Sequence, residues 1–375
     1  MLRTLFRKGY TPGSLVCLLA LLVMTLTACG GSSTTASSGA PVTADAITTN
    51  SGTIAVLLQA TAASPRWETQ DRPRLIAGLK KYAPNATVTY ANAEGSEDTQ
   101  LSQAEAAISA GAKVLLVAPV DGVAAGAIAR KAHAAGVAVI AYDALVLDAP
   151  VDYYVSFNNI RVGELMGEYI RDHTKQGDTI GMIGGSPQDN NAILFEQGAL
   201  NILQPLYNNG SRILGFRTLT PDWKAENAQR EMEQGLSKVS NHIAGVVVGN
   251  DNLATGVIAA LNEQGLAGKV LVTGQDATAV GLQHIVEGQQ GMTVYKPIAQ
   301  EADAAAKLAA YLLGGKTPPA GFVNGSVDNH AGKVPSVLLT PISVTIANIS
   351  TTVIVDKFVT WDTICQGATV TCPPK

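Results

Sequence analysis

Charged and aromatic side chains are both scarce in this chain. Charged residues make up 15% of its 375 residues and aromatic residues 5%, whereas hydrophobic residues make up 46%. The formal net charge is −4, and it becomes −7 without the first 28 residues, which carry three basic and no acidic side chains. A weakly acidic chain lacks the basic surface that nucleic acids and anionic lipids require. No nucleic-acid partner is therefore expected.

The sequence also lacks the short motifs of the common enzyme and metal-binding classes. No G-x-G-x-x-G follows the first apolar run, and Ser186 lies in Gly-Gly-Ser-Pro-Gln rather than in a G-x-S-x-G turn. The five histidines show no metal-ligand spacing, so neither a metal nor another cofactor is predicted. The residues alone leave open a glycosidase-like pair among Asp143, Asp189 and Asp276. We predict that the chain is not an enzyme.

Cysteine is rare, and its positions predict different roles. Of the four cysteines, Cys17 lies in an apolar run and Cys29 follows that run. The other two, Cys365 and Cys372, lie in a short C-terminal tail. Outside the cytoplasm a disulfide between these two is expected. A zinc site is not expected, because two cysteines without a nearby histidine supply too few ligands.

The first 28 residues have the features of an export signal. Three basic residues precede an apolar run over residues 15–26, which is too short for a comfortable membrane span. The run ends in Leu-Thr-Ala before Cys29, which matches the bacterial lipobox, whereas an ordinary signal peptide with an incidental cysteine is the alternative. We predict an extracytoplasmic protein that a lipid on Cys29 anchors to the membrane. Residues 29–51, rich in Gly, Ser, Thr and Ala, predict a flexible tether.

Short apolar runs alternate with amphipathic segments from residue 53 onward. The runs cover residues 53–58, 113–118, 137–142, 179–183, 243–249 and 269–274. Between them, Val162, Met166 and Ile170 belong to a helical apolar stripe. This alternation predicts parallel strands joined by crossover helices. We expect two α/β lobes, with a single (β/α)8 barrel as the alternative.

Polar side chains follow several of the predicted strands. Open parallel sheets bind ligands beyond the carboxyl ends of their strands, so these side chains are candidates for one cleft between the lobes. Asp and Asn at such positions also occur simply as helix N-caps, and Asp251 before residues 253–261 is the clearest example. Gln275 and Lys296 cap helices poorly and therefore favour a binding site.

Several motifs in the same order resemble periplasmic sugar-binding proteins, above all the xylose-binding protein of ABC importers and the related multiple-monosaccharide-binding protein. The motifs are Ser64-Pro65-Arg66-Trp67 with Asp71, Ala141-Tyr142-Asp143, Gly184-Gly185-Ser186-Pro187, Asp189-Asn190-Asn191-Ala192, Asp222-Trp223, Gly249-Asn250-Asp251, Gly274-Gln275-Asp276-Ala277, Val294-Tyr295-Lys296-Pro297, Val334-Pro335-Ser336 and Leu338-Leu339-Thr340-Pro341. The resemblance covers about residues 52–358.

The resemblance implies the type I periplasmic-binding fold, which has two Rossmann-like lobes with parallel sheets joined by a three-segment hinge. The N-terminal lobe would hold residues 52–156 plus 297–335. The C-terminal lobe would hold residues 157–296 plus 336–358, and residues 359–375 would form a tail. The resemblance also implies a monomer.

The resemblance further implies which residues bind a sugar. Its hydroxyl groups would be bound by Arg66, Asp143, Asp189, Asn191, Asn250, Asp276 and Lys296. Trp223 and Trp67 would stack on the ring, although Trp67 also reads as a surface residue and Trp223 as a core residue. These types suit a sugar, which has hydroxyl groups that donate and accept and apolar C–H faces. The family usually has Arg where this chain has Ala144, so the identity of the sugar stays open.

The function implied is that of a solute-binding protein for a carbohydrate ABC importer. It would bind D-xylose or a related aldopyranose by hinge closure and deliver it to the membrane permease. A sugar-sensing receptor for a chemoreceptor or histidine kinase is the alternative, because the same fold and site would serve it.

Overall fold

The computed structural model describes residues 45–370 and Cys372, and within them the chain forms two α/β lobes. The first lobe contains a sheet of seven strands. These are β1 (Gly52–Leu58), β2 (Ala86–Asn92), β3 (Ala112–Val117), β4 (Ala138–Tyr142), β5 (Tyr153–Phe157), β11 (Gly325–Asp328) and β12 (Lys333–Leu339). Their order is β11-β12-β5-β4-β3-β1-β2, and all neighbours are parallel except β11 and β12.

Helices cover both faces of this sheet. They are α1 (Arg72–Tyr82), α2 (Glu97–Ser109), α3 (Ala125–Ala134) and α9 (Ile298–Leu313). Alternate side chains of β1 show the two faces: Ile54 and Val56 pack with α1 and α9, whereas Ala55 and Leu57 pack with α2 and α3. A strand that is covered on both faces has to be apolar throughout, which explains the continuous apolar runs of the sequence.

The second lobe has a smaller parallel sheet with the order β7-β6-β8-β9. Its strands are β6 (Thr179–Gly184), β7 (Ile213–Leu219), β8 (Gly245–Val248) and β9 (Leu271–Val272). The helices are α4 (Asn159–His173), α5 (Asn190–Asn208), α6 (Ala225–Lys238), α7 (Asp251–Glu263) and α8 (Ala279–Val286). An antiparallel pair, β10 (Thr293–Tyr295) with β13 (Ile342–Val344), completes this lobe.

The described chain passes between the lobes three times: after β5, between β10 and α9, and between β12 and β13. The predicted two-lobed α/β fold with parallel sheets is confirmed, and the barrel alternative is wrong because the strands form separate open sheets. The predicted lobe boundary at residues 335 and 336 falls inside β12, which pairs with β5 as far as Leu339.

Strands at the sheet edges escaped the sequence reading. Both β2 and β7 lie at an edge and are only partly buried, so they carry polar residues where an internal strand carries apolar ones. The predicted strand over residues 269–274 is also too long, because β9 is limited to Leu271–Val272. The next residues turn out of the sheet and carry Gln275 and Asp276 into the space between the lobes.

The C-terminal tail packs on the second lobe. It contains the short helix α10 (Trp361–Ile364), and a disulfide joins Cys365 to Cys372. The side-chain amide of Gln283 on α8 donates to the carbonyl of Gln366 at 3.0 Å. Among the described residues, no helix is both long and apolar enough to cross a membrane. The export signal, the lipidation site Cys29 and the first part of the tether lie outside the described residues.

Candidate functional site

A cavity of about 330 Å³ lies between the two lobes, beyond the carboxyl ends of their strands. All nine residues that were predicted to bind a ligand line it, together with five others. The lining residues are Gln59, Ala63, Ser64, Arg66, Trp67, Asp143, Asp189, Asn191, Phe195, Trp223, Asn250, Gln275, Asp276 and Lys296.

Arg66 is the most heavily bonded side chain of the cavity. It precedes a short π-helical turn, Trp67–Asp71, that follows β1. On one side, Nε and Nη2 donate to the two carboxylate oxygens of Asp71 at 2.8 and 2.7 Å, and Nη2 also donates to Glu301 at 3.0 Å. On the other side, Nη1 donates to Asp143 at 2.8 Å. Neither Asp71 nor Glu301 lines the cavity, so they fix the guanidinium from behind.

Trp67 lies on the cavity wall and not on the protein surface. Its side chain is only 4% exposed, which shows that the alternative reading of a surface aromatic is wrong. The Arg66 guanidinium lies 4.6 Å from the centre of its ring, within the range of a cation–π contact.

Asp143, Asp276 and Lys296 form the charged centre of the site. Lys296 Nζ lies 3.4 Å from an Asp143 oxygen and 3.1 Å from Oδ1 of Asp276. Burial alone would raise the pKa of Asp143, but Arg66 and Lys296 outweigh it and the pKa is lowered. Burial alone would lower the pKa of Lys296, but Asp143 and Asp276 raise it. Asp143 and Lys296 therefore both stay ionised at neutral pH although they are almost fully enclosed.

The second lobe contributes Asp189, Asn191 and Trp223 through the loops after β6 and β7. Asp189 caps α5 by accepting the backbone N–H of Asn191 at 2.9 Å, and its other oxygen accepts the indole N–H of Trp223 at 3.2 Å. Burial raises the pKa of Asp189 to about 6. The amide of Asn191 donates to the backbone and the carboxylate of Asp143, both at 3.1 Å, and so connects the lobes.

The indole of Trp223 lies directly on the backbone of Gly185. A Cβ atom at Gly185 would be 2.0 Å from Cη2 of the ring, far inside van der Waals contact. On the other ring edge, Phe195 packs with its centroid 6.5 Å from that of Trp223. The ring belongs to the second-lobe core and also lines the cavity, so the core reading is correct and the ligand role of Trp223 stays a prediction.

The helix cap that was expected at Asp251 is formed by its neighbour Asn250 instead. The helix cap is Asn250, whose Oδ1 accepts the backbone N–H of Leu253 at 2.8 Å while its side chain also lines the cavity. The expectation that Asp251 is a plain cap is wrong. Its carboxylate points into the lobe and accepts from Thr293 and Gln290, both at 2.8 Å.

Sequence reasoning missed Phe195, Ser64 and Ala63 as lining residues, whereas it counted Gln275 among the polar strand ends that favour a binding site. Phe195 packs in the core of the second lobe and also lines the cavity. Ser64 stands in the Ser-Pro-Arg-Trp motif, so its neighbours could have identified it. Ala144, at the position of the usual Arg, is buried and does not line the cavity.

The cavity presents a mixture of donors, acceptors and aromatic faces. Among the described residues, three of its buried polar atoms make no hydrogen bond within the protein: Ser64 Oγ, Gln275 Oε1 and Asp276 Oδ1. Buried polar groups are normally paired, so Ser64 Oγ and Gln275 Oε1 are available to a ligand, whereas Asp276 Oδ1 already has an ion pair with Lys296. Within residues 45–370 and Cys372, no group of three or more metal-ligating side chains is present. The arrangement suits a small neutral molecule with several hydroxyl groups and apolar faces.

Comparison with known proteins identifies relatives over most of the chain. Residues 54–317 match the family described as periplasmic binding protein domain. The D-xylose-binding periplasmic protein of Escherichia coli strain K12 is 41% identical over 294 residues, which cover 78% of this chain and 87% of that protein. The multiple sugar-binding periplasmic receptor ChvE of Rhizobium radiobacter is 33% identical over 321 residues, covering 80% and 89%.

A solved structure supports the same relationship. The carbohydrate transporter solute-binding protein of Chloroflexus aurantiacus, in complex with D-glucose, superimposes with a TM-score of 0.77 at 29% identity, covering 84% of this chain and 98% of that one. The named relatives are sugar-binding or solute-binding proteins, so the prediction that the chain is not an enzyme is confirmed. The chain belongs to the periplasmic binding protein family and has its type I fold.

Proposed function

We propose that this chain is the solute-binding protein of a carbohydrate ABC importer and that it binds D-xylose or a related aldopyranose between its lobes. The observation that carries the proposal is the cavity itself. It combines charged and amide groups with two indole faces, and three of its buried polar atoms have no hydrogen bond within the described protein. Relatives named for D-xylose or for multiple sugars support the ligand class.

Each kind of side chain has a distinct task in this proposal. Arg66 and Lys296 donate to sugar oxygens, Asp143, Asp189 and Asp276 accept from hydroxyl groups, and Asn191 and Asn250 do both. Hydrogen bonds to such ionised groups are stronger than those between neutral partners. Trp67 and Trp223 cover the apolar faces of the ring.

Ligand binding favours the closed arrangement of the lobes, because the two lobes hold different parts of one site. Arg66, Trp67 and Asp143 come from the first lobe, whereas Asn191 and Trp223 come from the second. A sugar that contacts both sets can do so only when the lobes are together, so it shifts the population toward that state. The closed form then delivers the sugar to the permease, and the protein acts as a monomer.

A titration with a panel of monosaccharides tests the proposal. Intrinsic fluorescence is informative because two of the three tryptophans line the cavity and Trp361 lies in the tail. Trp361→Phe removes the fluorescence of the tail and should keep the fluorescence change on sugar binding, whereas Trp223→Phe should lose most of that change. Saturation by D-xylose with weaker responses to hexoses is expected. A flat response to every sugar, together with unchanged thermal unfolding, would refute the ligand class.

The lipid anchor is a separate part of the proposal. It rests on the Leu-Thr-Ala sequence before Cys29. Membrane fractions of cells should contain the parent chain, and Cys29→Ser should move it to the soluble extracytoplasmic fraction. Equal distribution of both chains would show that the anchor is wrong and leave the sugar site untouched.

A further inference from the structure

Asn252 does not line the cavity, but its side-chain amide contacts both lobes at the rim. It is half-buried near the start of α7, next to the pocket residue Asn250. Its Nδ2 donates to the backbone carbonyl of Trp223 at 2.8 Å and to that of Ala62 at 3.3 Å. One amide nitrogen carries two hydrogens, so both bonds can form together.

The first of these bonds supports an unusual turn. Asp222 and Trp223 are consecutive residues with φ angles of 57° and 55°. This left-handed conformation is unfavourable for every residue type except glycine. The backbone bonds inside the turn are long, at 3.4 Å from Trp223 N to Thr220 O and 3.3 Å from Lys224 N to Pro221 O. The 2.8 Å bond from Asn252 is therefore an important outside support for the peptide that carries the indole.

The second bond crosses between the lobes. Ala62 lies in the first-lobe loop that leads into Arg66 and Trp67. Asn250 makes a parallel contact, donating to the next carbonyl, that of Ala63, at 3.4 Å. Separation of the lobes would break the contact with Ala62 but keep the contact with Trp223, because Asn252 and Trp223 belong to the same lobe.

We propose that Asn252 is a positioning residue that couples the placement of Trp223 to lobe closure and thereby slows release of the ligand. This inference rests on the proposed function. Asn252 acts through the Trp223 carbonyl and the Ala62 carbonyl and touches no ligand itself. Its effect is expected in the dissociation rate, since changes around one binding site alter dissociation more than association.

The test compares Asn252→Ala with the parent in the full-length chain, purified in detergent, with D-xylose and D-glucose as probes. Stopped-flow fluorescence should show dissociation that is about five- to thirtyfold faster, as expected from the loss of two neutral hydrogen bonds. The association rate should stay within about threefold. Unchanged dissociation in Asn252→Ala would overturn the proposal.

A matched control separates lobe coupling from simple support of the turn. Asn227 is also half-buried and donates to a carbonyl of the same turn, that of Pro221 at 3.1 Å, and within the described residues its amide has no first-lobe partner. Asn227→Ala should change dissociation by less than about threefold. An equal acceleration in both variants would refute the coupling to closure.

A second pair of measurements does not depend on the control. In calorimetric titrations, Asn252→Ala should weaken sugar binding less in the Trp223→Phe background than in the parent, because the side chain that it positions is gone. Small-angle scattering of the ligand-free proteins should show a more open average for Asn252→Ala. If the parent binds no sugar, the proposed function is refuted. The scattering comparison then tests this inference by itself, and identical scattering profiles of the parent and Asn252→Ala would count against it.

Discussion

Replacing Gly185 by alanine should weaken sugar binding about a hundredfold and leave the lobes folded. The added Cβ atom would lie 2.0 Å from Cη2 of Trp223 and 2.2 Å from Cζ2. Carbon atoms in contact lie about 3.5–4.0 Å apart, so the indole has to move by about 1.5–2 Å. Gly249 limits movement along the backbone, since a Cβ there would already be 3.1 Å from Cζ3. The ring is therefore displaced toward the cavity.

The displaced ring loses two interactions that matter for binding. The first is coverage of the apolar sugar face, where about 60 Å² left in water costs about 1.5 kcal/mol at about 25 cal/mol per Å². Stacking of an aromatic ring contributes about 0.5–1.5 kcal/mol beyond the area that it buries. A combined loss of about 3 kcal/mol corresponds to roughly a hundredfold in Kd.

Gly184→Ala is the matched control, at the last residue of β6 and one position before Gly185. Its Cβ would meet Cδ2 of Leu219 at 2.7 Å, which is the end of a flexible side chain that can rotate away. Calorimetric titration with D-xylose should give a Kd within about threefold of the parent for this variant. If Gly185→Ala binds as tightly as Gly184→Ala, and circular dichroism shows both folded, the reasoning that this backbone sets the ring position is refuted.

Three further results are expected. Asp71→Ala should lower the free energy of unfolding by about 3–5 kcal/mol in urea denaturation, because it leaves the buried charge of Arg66 without its bidentate partner. Sugar affinity should fall about tenfold from pH 7 to pH 5, because the pKa of Asp189 is raised to about 6 and a protonated carboxyl accepts hydroxyl groups poorly. Cys365→Ser should leave affinity within about twofold by fluorescence titration, since the tail does not line the cavity.

Each of these results has a contrary outcome. An Asp71→Ala chain with parental stability would show that Asp143 and Glu301 suffice to hold Arg66. Asp189→Asn should flatten the pH profile, and a profile that keeps its slope would assign the titration to another group. A tenfold weaker affinity in Cys365→Ser would show that the tail does influence the site.

The parallel strands and the cavity residues could be predicted because both leave local traces in the sequence. Internal strands such as β3 and β4 are apolar throughout, and polar residues such as Asp143 follow them directly. These positions come together because the carboxyl ends of parallel strands meet at one edge.

The groups behind the cavity left no such trace. Glu301 lies in the first turn of α9, where a glutamate reads as a solvent-facing residue, yet it is fully buried. Its partner Arg66 is 235 positions away in sequence, so only the folded structure shows why the charge is tolerated. Asp251 was misread for a similar reason, since Gln290 and Thr293 reach it from about 40 residues further along the chain.

The return of the chain to the first lobe has a consequence for the order of folding. β12 pairs with β5 across a separation of about 180 residues, and α9 covers β1 from an even greater distance. Contacts between such distant segments make folding slow. The first lobe cannot complete its sheet until nearly the whole chain has been synthesised, whereas the second lobe is built largely from one continuous stretch. For a chain that crosses a membrane before it folds, this arrangement delays premature folding, because the N-terminal half cannot complete its sheet until the C-terminal segments are available.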